Sequence, residues 1–294
     1  MTESIHIPVM LDKVLEYLEG DKRNLIVDCT FGGGGHSREI LKRYKNVKVI
    51  GIDRDLEAIK RGERLIKEFE GRLSLFHSNF KDLPSVLKSL HIEAVDAVLL
   101  DLGVSSDLLD DARRGFSFLK EGPLDMRMDT TSELTAEIVL NSYPRERLEK
   151  IFFEYGEERY ARKVAKAICE QRKKSRFTKT TDIVKLISKT IYKSGKIHPA
   201  TKIFQALRIE VNNELHSLSS FLQSLPSLLS VGGRVLIISF HSLEDRIVKV
   251  FFKEAEKEGV LRIITKKPVV PEQAEVKQNV RARSAKLRVA ERIN

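Results

Sequence analysis

Four consecutive glycines, Gly32 to Gly35, stand in the run Asp28-Cys29-Thr30-Phe31-Gly32-Gly33-Gly34-Gly35-His36-Ser37. Glycine reaches backbone conformations that other residues avoid and lets a ligand approach the main chain closely. An apolar run, Leu25-Ile26-Val27, precedes the glycines and a helix-like segment follows. That is the strand, loop and helix order of a nucleotide-type binding turn. The next apolar run, Val49-Ile50-Gly51-Ile52, ends on Asp53. A carboxylate about 20 residues beyond such a loop is placed to hold ribose hydroxyls. Asp101 ends a further run, Val98-Leu99-Leu100. Ligands of open α/β sheets sit at the carboxyl ends of the strands, so Asp28, Asp53 and Asp101 are expected to line one crevice.

The loop does not complete a dinucleotide fingerprint, because Ser37 or Arg38 stands where a third glycine is needed. No phosphate-cradling G-x-x-x-x-G-K-S/T loop occurs either. Asp28 at the mouth of the first strand would repel a pyrophosphate and suit an ammonium group. S-adenosylmethionine fits these demands, with ribose for Asp53, an amino-acid end for the loop and Asp28, a sulfonium, and no phosphate. A tight turn in an ordinary α/β domain is the plainer alternative for the loop taken alone. An amino group conjugated to an aromatic base is a poor nucleophile, since its lone pair is delocalised. Asp101 accepting its N–H would free that lone pair, and proximity would supply much of the remaining rate. Neither Cys29 in the loop nor Cys169 in a helix looks activated, which argues against a covalent route through a ring carbon. His36 follows the glycines and either donates to the cofactor or caps the helix start. His241, at the tip of a fifth apolar run, either touches substrate or hydrogen-bonds the insertion in a structural or orienting role.

The chain of 294 residues is 41% apolar, enough for a real core. No stretch approaches the ~18–20 apolar residues of a membrane span, the start lacks a signal-peptide layout, and two cysteines make neither a disulfide framework nor a zinc pattern. These features lead to the expectation of a cytoplasmic protein without a metal. The net charge of +10 is concentrated in two blocks. Residues 157–179 carry nine Lys/Arg against three Glu, and residues 266–292 carry eight against three. Two basic blocks on a neutral body point to a polyanion, since phosphate contacts supply most non-specific nucleic-acid affinity. The alternative is a solvated surface.

Strands are expected over 24–30, 47–53, 73–78 and 95–101, alternating with helices such as Asp55 to Phe69, as in a doubly wound sheet. From Ser105 to Pro199 the strand signal stops. Helix-spaced apolar residues recur instead over Thr135–Asn141, Arg145–Phe153, Arg159–Lys174 and Thr181–Tyr192, a stretch too long for a loop. Domains are therefore expected at 1–105 with 200–294, and at 106–199 for a helical insertion. After Pro199 a long helical region is interrupted at Pro226. A fifth strand runs over Arg234–Phe240, Ser242 with Asp245 reads as a capping box, and two strands, Leu261–Thr265 and Lys286–Ile293, close the sheet as an antiparallel pair. Seven strands so arranged form the sheet of the class I (Rossmann-like) methyltransferases. In the insertion, Arg159, Arg162, Lys163 and Lys166 recur at spacings that share one helix face. Arg281, Arg283, Lys286 and Arg288 form the second candidate phosphate-binding set.

The chain resembles the bacterial small-subunit ribosomal RNA (cytosine-N4-)-methyltransferases, the RsmH or MraW type. The segments that carry the resemblance are HIPVM at 6–10, DCTFGGGGHS at 28–37, GIDRD at 51–55, DLGVSS at 101–106, RRGFSF at 113–118 and GPLDMRMD at 122–129. EYGEERYARKVA at 154–165, HPATKIFQALRI at 198–209, GGR at 232–234, SFHSLEDRIVK at 239–249 and RARSAKLRVAERI at 281–293 also match, so the likeness runs end to end. It implies a class I S-adenosylmethionine-dependent methyltransferase sheet with an inserted helical domain that recognises substrate. It implies methylation of the exocyclic N4 of one cytidine of 16S rRNA near the P site, with naked RNA or the assembled 30S subunit as substrate, and leaves a homodimer open. By position it implies cofactor contacts at Gly34, Gly35, His36, Asp53, Phe80 and Asp101, with Asp101 catalytic. Leu108 stands where relatives carry a polar residue, often Gln, which leaves only a backbone contact there. Val280 replaces the proline of N-P-R-A-R-S, which is expected to loosen that turn. The chain also lacks a D-P-P-Y type motif, so no base-stacking residue is assigned. A non-catalytic RNA-binding factor would tolerate decay of the loop or the strand-end acids, and both are intact. An NAD-dependent oxidoreductase is disfavoured by the incomplete fingerprint and the basic blocks.

Overall fold

The computed structural model describes residues 8–191 and 198–294. His6, Ile7 and Tyr192 of the segments named above lie outside them. The chain divides into two compact units, one of residues 1–103 with 215–294 and one of residues 104–214.

The first unit is built on a sheet of seven strands: β1 (Leu25–Asp28), β2 (Lys48–Asp53), β3 (Leu73–His77), β4 (Val95–Asp101), β5 (Leu229–Ser239), β6 (Leu261–Ile263) and β7 (Lys286–Arg292). Their order is β3-β2-β1-β4-β5-β7-β6. The first five run parallel, and β7 lies antiparallel to both β5 and β6. This is the class I methyltransferase arrangement. A parallel sheet must be covered on both faces, and residue alternation along the strands supplies two apolar faces. Val27, Ile50, Ile52, Val98, Leu100, Val235 and Ile237 enter one core. Ile26, Val49, Ala97, Leu99, Leu236, Ile238, Leu287 and Val289 enter the other. Winding runs one way from β1 to β2 and β3 and the other way to β4 and β5. The switch point therefore falls between β1 and β4, whose carboxyl ends carry Asp28 and Asp101.

The second unit packs the helices Ala136–Ser142, Arg145–Glu154, Ala161–Arg172, Thr180–Thr190 and Ala200–Asn212 around its own core. The last of these moves the expected boundary from 199/200 to 214/215. Ile203, Phe204, Leu207 and Val211 bury their side chains in the helical core and not against the sheet. Two of the matching segments serve this unit's architecture. Met126 takes a left-handed backbone (φ 60°). The turn around it is held by Asn212, which accepts from Met128 N at 2.7 Å and donates to Met126 O at 2.7 Å. Arg114 donates to the carbonyls of Arg127 and Met128, both at 2.9 Å.

Three local expectations are corrected. Pro226 does not interrupt its helix, which runs Glu214–Leu228 with the proline in its last turn. The capping box before the helix Ser242–Lys257 is His241 with Glu244, not Ser242 with Asp245. The turn at Val280 is not loose: it forms a short 3-10 helix, Val280–Ser284, whose first turn is capped by Asn279 accepting from Arg281 N at 3.1 Å.

Phe31, within the glycine loop, is 3% exposed. Its ring lies where a methyl group on any of three glycines would strike it: 2.6 Å for Gly34, 2.7 Å for Gly51 of β2 and 2.6 Å for Gly62 of the helix Leu56–Glu68. Gly34 also has φ 74°, a conformation that a side chain disfavours. Replacing a glycine inside a helix by alanine ordinarily stabilises by about 1 kcal/mol. Here the sign is expected to reverse, with Gly62→Ala destabilising by roughly 1–3 kcal/mol through overpacking. Leu75 Cδ1 lies nearer still to that methyl position, at 2.3 Å, so urea unfolding checks the cost, which should shrink when Phe31→Leu and Leu75→Ala are combined. A stabilised Gly62→Ala would show that the slot has room.

Candidate functional site

Each of the three strand-end carboxylates is tied to the glycine loop, and in a different way. Asp28 is 1% exposed. Its Oδ2 accepts from Ser37 Oγ at 2.7 Å and its Oδ1 from Thr30 N at 3.3 Å. The expectation that Asp28 meets a ligand ammonium is therefore corrected, since the side chain turns inward and braces the loop. Asp53 Oδ2 accepts from Gly32 N at 2.6 Å and Oδ1 from Asp55 N at 2.8 Å. A carboxylate offers about four lone-pair sites, so Asp53, which is only half-buried, keeps acceptor capacity after organising the loop. At Asp101 the backbone N–H donates to Thr30 Oγ1 at 2.6 Å. Its Oδ1 is closed from solvent and has no hydrogen-bond partner among the described residues.

His36 is buried beside it. Its Nε2 lies 3.0 Å from Val9 O and its Nδ1 lies 3.9 Å from Asp101 Oδ2. A carbonyl only accepts, so Nε2 carries the proton and, in the neutral ring, Nδ1 turns a lone pair toward Asp101. His36 is not a cap, because that position belongs to Gly34 and the helix begins at Gly35. Phe80 follows β3 in the short helix Phe80–Asp82, half-buried, its ring edge-on to Phe221 at 5.8 Å. Its segment is joined to the site by Ser78 N donating to Asp53 O at 2.9 Å. Thus Gly34, Gly35, His36, Asp53 and Asp101 fall on one connected patch at the carboxyl edge, with Phe80 on the adjoining segment. Leu108 belongs to the helical unit, where its side chain is in the core and its N–H donates to Ser105 Oγ at 3.3 Å.

Burial dominates the electrostatics. It pushes Asp28 and Asp53 up to about 6. It pushes Asp101 well above the ordinary carboxylate range, with further repulsion from Asp28 and Glu244. Glu244 is itself fixed by accepting from Phe240 N at 2.8 Å, and His241 Nε2 lies 3.1 Å from its other oxygen, an orienting pair. An edge with one buried and two half-buried carboxylates suits a ligand that brings positive charge and hydroxyl donors. Ser37, Thr30 and Glu244 are the contributors that residue reading passed over. The one signal for them was position, two in the loop itself and one three residues after His241.

The cations divide into two kinds. Arg288 is 8% exposed and donates from Nε to Asp245 Oδ1 at 2.7 Å, and Lys286 reaches the same carboxylate at 3.3 Å. These two, expected to meet phosphates, instead hold β7 to the helix Ser242–Lys257. Arg281 and Arg283 are exposed. In the helical unit Arg172 is spent on the carbonyls of Leu140 and Tyr143, whereas Arg159, Arg162, Lys163 and Lys166 are all exposed. Arg159 precedes the helix Ala161–Arg172, so the shared helix face comprises the other three.

The pH dependence of Asp28 has a definite sign. Its folded pKa of about 6 exceeds the ordinary 3.8. Its contribution to stability is therefore fully present below about pH 4 and is lost as pH rises through about 6, by ~3 kcal/mol for one such group. Asp28→Asn is expected to make the fall in unfolding free energy between pH 4 and 7 shallower, leaving a remainder from Asp53 and Asp101. Urea titrations of the ligand-free protein at stepped pH measure it, and an unchanged slope would remove Asp28 as its source.

Comparison with known proteins fits this architecture. The profile of the MraW methylase family matches residues 3–293. A protein named ribosomal RNA small subunit methyltransferase H from Thermotoga neapolitana is 50% identical over 292 residues, covering 97% of this chain and 95% of its own. A protein of the same name from Caldicellulosiruptor bescii is 48% identical, with 98% and 99% covered, and one from Carboxydothermus hydrogenoformans is 44% identical, with 99% of each covered. With that extent of likeness added to the sheet order and the loop, the chain belongs to the MraW methylase family.

Proposed function

We propose that this chain is an S-adenosylmethionine-dependent methyltransferase that modifies the exocyclic N4 of one cytidine in small-subunit ribosomal RNA, near the P site. The observation that carries the reading is the Oδ1 atom of Asp101, a buried acceptor without a partner among the described residues, at the switch point of the sheet and beside the glycine loop. Family membership and the names of the relatives support the class of reaction and the RNA. The residues present fit this cofactor: the glycine loop lets a ligand approach the backbone, Asp53 retains acceptor sites for ribose hydroxyls, Phe80 offers a ring for adenine, and the acidic edge favours a cation. When bound, the cofactor supplies an electrophilic methyl group on a sulfonium.

The chain's own residues supply the rest. Asp101 Oδ1 accepts an N–H of the target amine and draws its lone pair out of conjugation. Because burial raises the proton affinity of Asp101, the same atom is suited to take the proton that the amine gives up on methylation. Thr30 fixes the backbone of Asp101, and His36, anchored on Val9, stands beside its Oδ2. The helical unit of residues 104–214 is assigned to substrate recognition, with Arg159, Arg162, Lys163 and Lys166 meeting phosphates. No described helix is long and apolar enough to cross a membrane, and the cytoplasm is the compartment of an rRNA substrate.

Charge-assisted hydrogen bonds contribute ~1.5–3 kcal/mol each, so Asp53→Ala is expected to weaken S-adenosylmethionine binding at least tenfold while the fold persists. Unchanged affinity by calorimetry would remove Asp53 from the site. Asp101→Ala is expected to lower single-turnover methylation of small-subunit RNA by ~100-fold or more at saturating cofactor, the range of one positioned acid–base group. A rate constant near wild type would refute its role. Mapping the methyl group that is missing from the RNA of a strain lacking the enzyme tests the cytidine assignment directly.

A further inference from the structure

A cavity of about 220 Å³ opens at the far margin of the sheet, lined by Lys249, Lys253, Lys266 and Lys267 over an apolar floor that includes Ile263 and Pro268. None of the four lysines has an ion-pair or hydrogen-bond partner among the described residues. All four are exposed, and no carboxylate lines the cavity. Asp245, one turn before Lys249, is engaged with Arg288 and Lys286, Glu256 accepts from Ile263 N at 2.9 Å, and Glu254, next to Lys253, is not among the residues lining the cavity. Exposed lysines without a carboxylate partner occur elsewhere on the chain, and what distinguishes these four is that they rim one hollow. Like charges gathered in this way repel, and a polyanion relieves that repulsion.

The lysines are carried on fixed backbone. Lys249 and Lys253 are one turn apart on the helix Ser242–Lys257, whose Val248 and Phe252 are in the core. Lys266 and Lys267 sit on a turn clamped to β7 on both sides. Val289 N donates to Thr265 Oγ1 at 2.9 Å before it, and Val269 and Leu287 exchange two backbone bonds of 2.9 Å after it. Because β5 and β6 are both antiparallel to β7, the chain leaves β6 at the same edge as Asp101 leaves β4. Three strand spacings separate β4 from β6, roughly 15 Å. The cavity is smaller than the ~300–1,000 Å³ of a small-molecule site, which suits a phosphodiester with its ribose better than a whole free nucleotide.

We propose that this lysine-lined cavity is a second docking point for the substrate, holding the phosphodiester backbone of RNA that flanks the target nucleotide on the sheet unit. The proposal rests on the reading of the chain as an rRNA methyltransferase. It is tested with the quadruple variant Lys249→Ala, Lys253→Ala, Lys266→Ala, Lys267→Ala and with its all-arginine counterpart. Binding to unmodified small-subunit rRNA and to small subunits from a strain lacking the enzyme is measured across salt concentrations. Each phosphate contact contributes a slope of about −0.7 on single strands. The alanine variant is expected to flatten the slope of the tighter-binding probe by roughly 0.7–1.5 units, the share of one or two phosphates, with unchanged affinity for S-adenosylmethionine and unchanged thermal unfolding, and the arginine variant to retain it. An alanine variant with the wild-type slope overturns the proposal, as does one that loses only binding of inorganic phosphate. A wild-type protein that binds neither RNA probe would instead overturn the rRNA reading itself, and the docking point with it.

Discussion

The ring of Phe31 fixes the loop on which the rest of the site depends. It fills a slot left open by Gly34, Gly51 and Gly62, one from the loop, one from β2 and one from the helix behind it. Interiors are packed as densely as organic crystals, so a ring wedged among three backbones has little freedom. With Phe31 seated, its N–H reaches Ile52 O at 2.9 Å, the N–H of Gly32 meets Asp53, and Thr30 is left facing the backbone of Asp101. The loop thus reads out the positions of β1, β2 and β4 together. One of the four glycines that mark the motif, Gly34, serves the ring at least as much as any ligand.

Buried acid is the second organising fact. Placing carboxylates at three strand ends costs solvation, and the protein offsets it unequally. Asp28 receives a hydroxyl and an N–H, Asp53 receives two N–H groups, and Asp101 Oδ1 receives nothing from the described residues. An unmet buried acceptor is expensive, and its retention at the switch point is what separates Asp101 from its neighbours. The three residues have the same side chain and different surroundings, and the surroundings assign the tasks.

β1, β2, β4 and β5 were legible because each holds a continuous apolar run, the mark of a buried parallel strand, whereas β3, β6 and β7 carry polar residues within them. The amphipathic spacing around Val164 and Ile168 likewise placed Arg162, Lys163 and Lys166 outward. Direction was harder. A carboxylate at a strand end can point to a ligand or into the loop, and nothing in Asp28-Cys29-Thr30 distinguishes the two. Arg288 reads as a free cation until the register of β7 sets it opposite Asp245. The helix Ala200–Asn212 carries apolar residues that announce burial without naming the core they enter, so the second boundary was misplaced by one helix. Phe31 went unread because two of the three glycines that form its slot, Gly51 and Gly62, are distant in sequence.

The order of strands also has a consequence for synthesis. β4 is made before residues 104–214 and finds its second neighbour, β5, only after them. At about 5–20 residues per second, the edge of β4, nearly all apolar, waits on the order of ten seconds for its partner. An open apolar edge is a template for wrong pairing. β5 and β6 then wait in turn for β7, which follows both in sequence and lies between them in space. Meanwhile the helical unit can form from contacts that are local in sequence, the fast kind. A nascent chain would therefore carry a finished helical body while its sheet stands half built, and this is the interval in which a chaperone would find it.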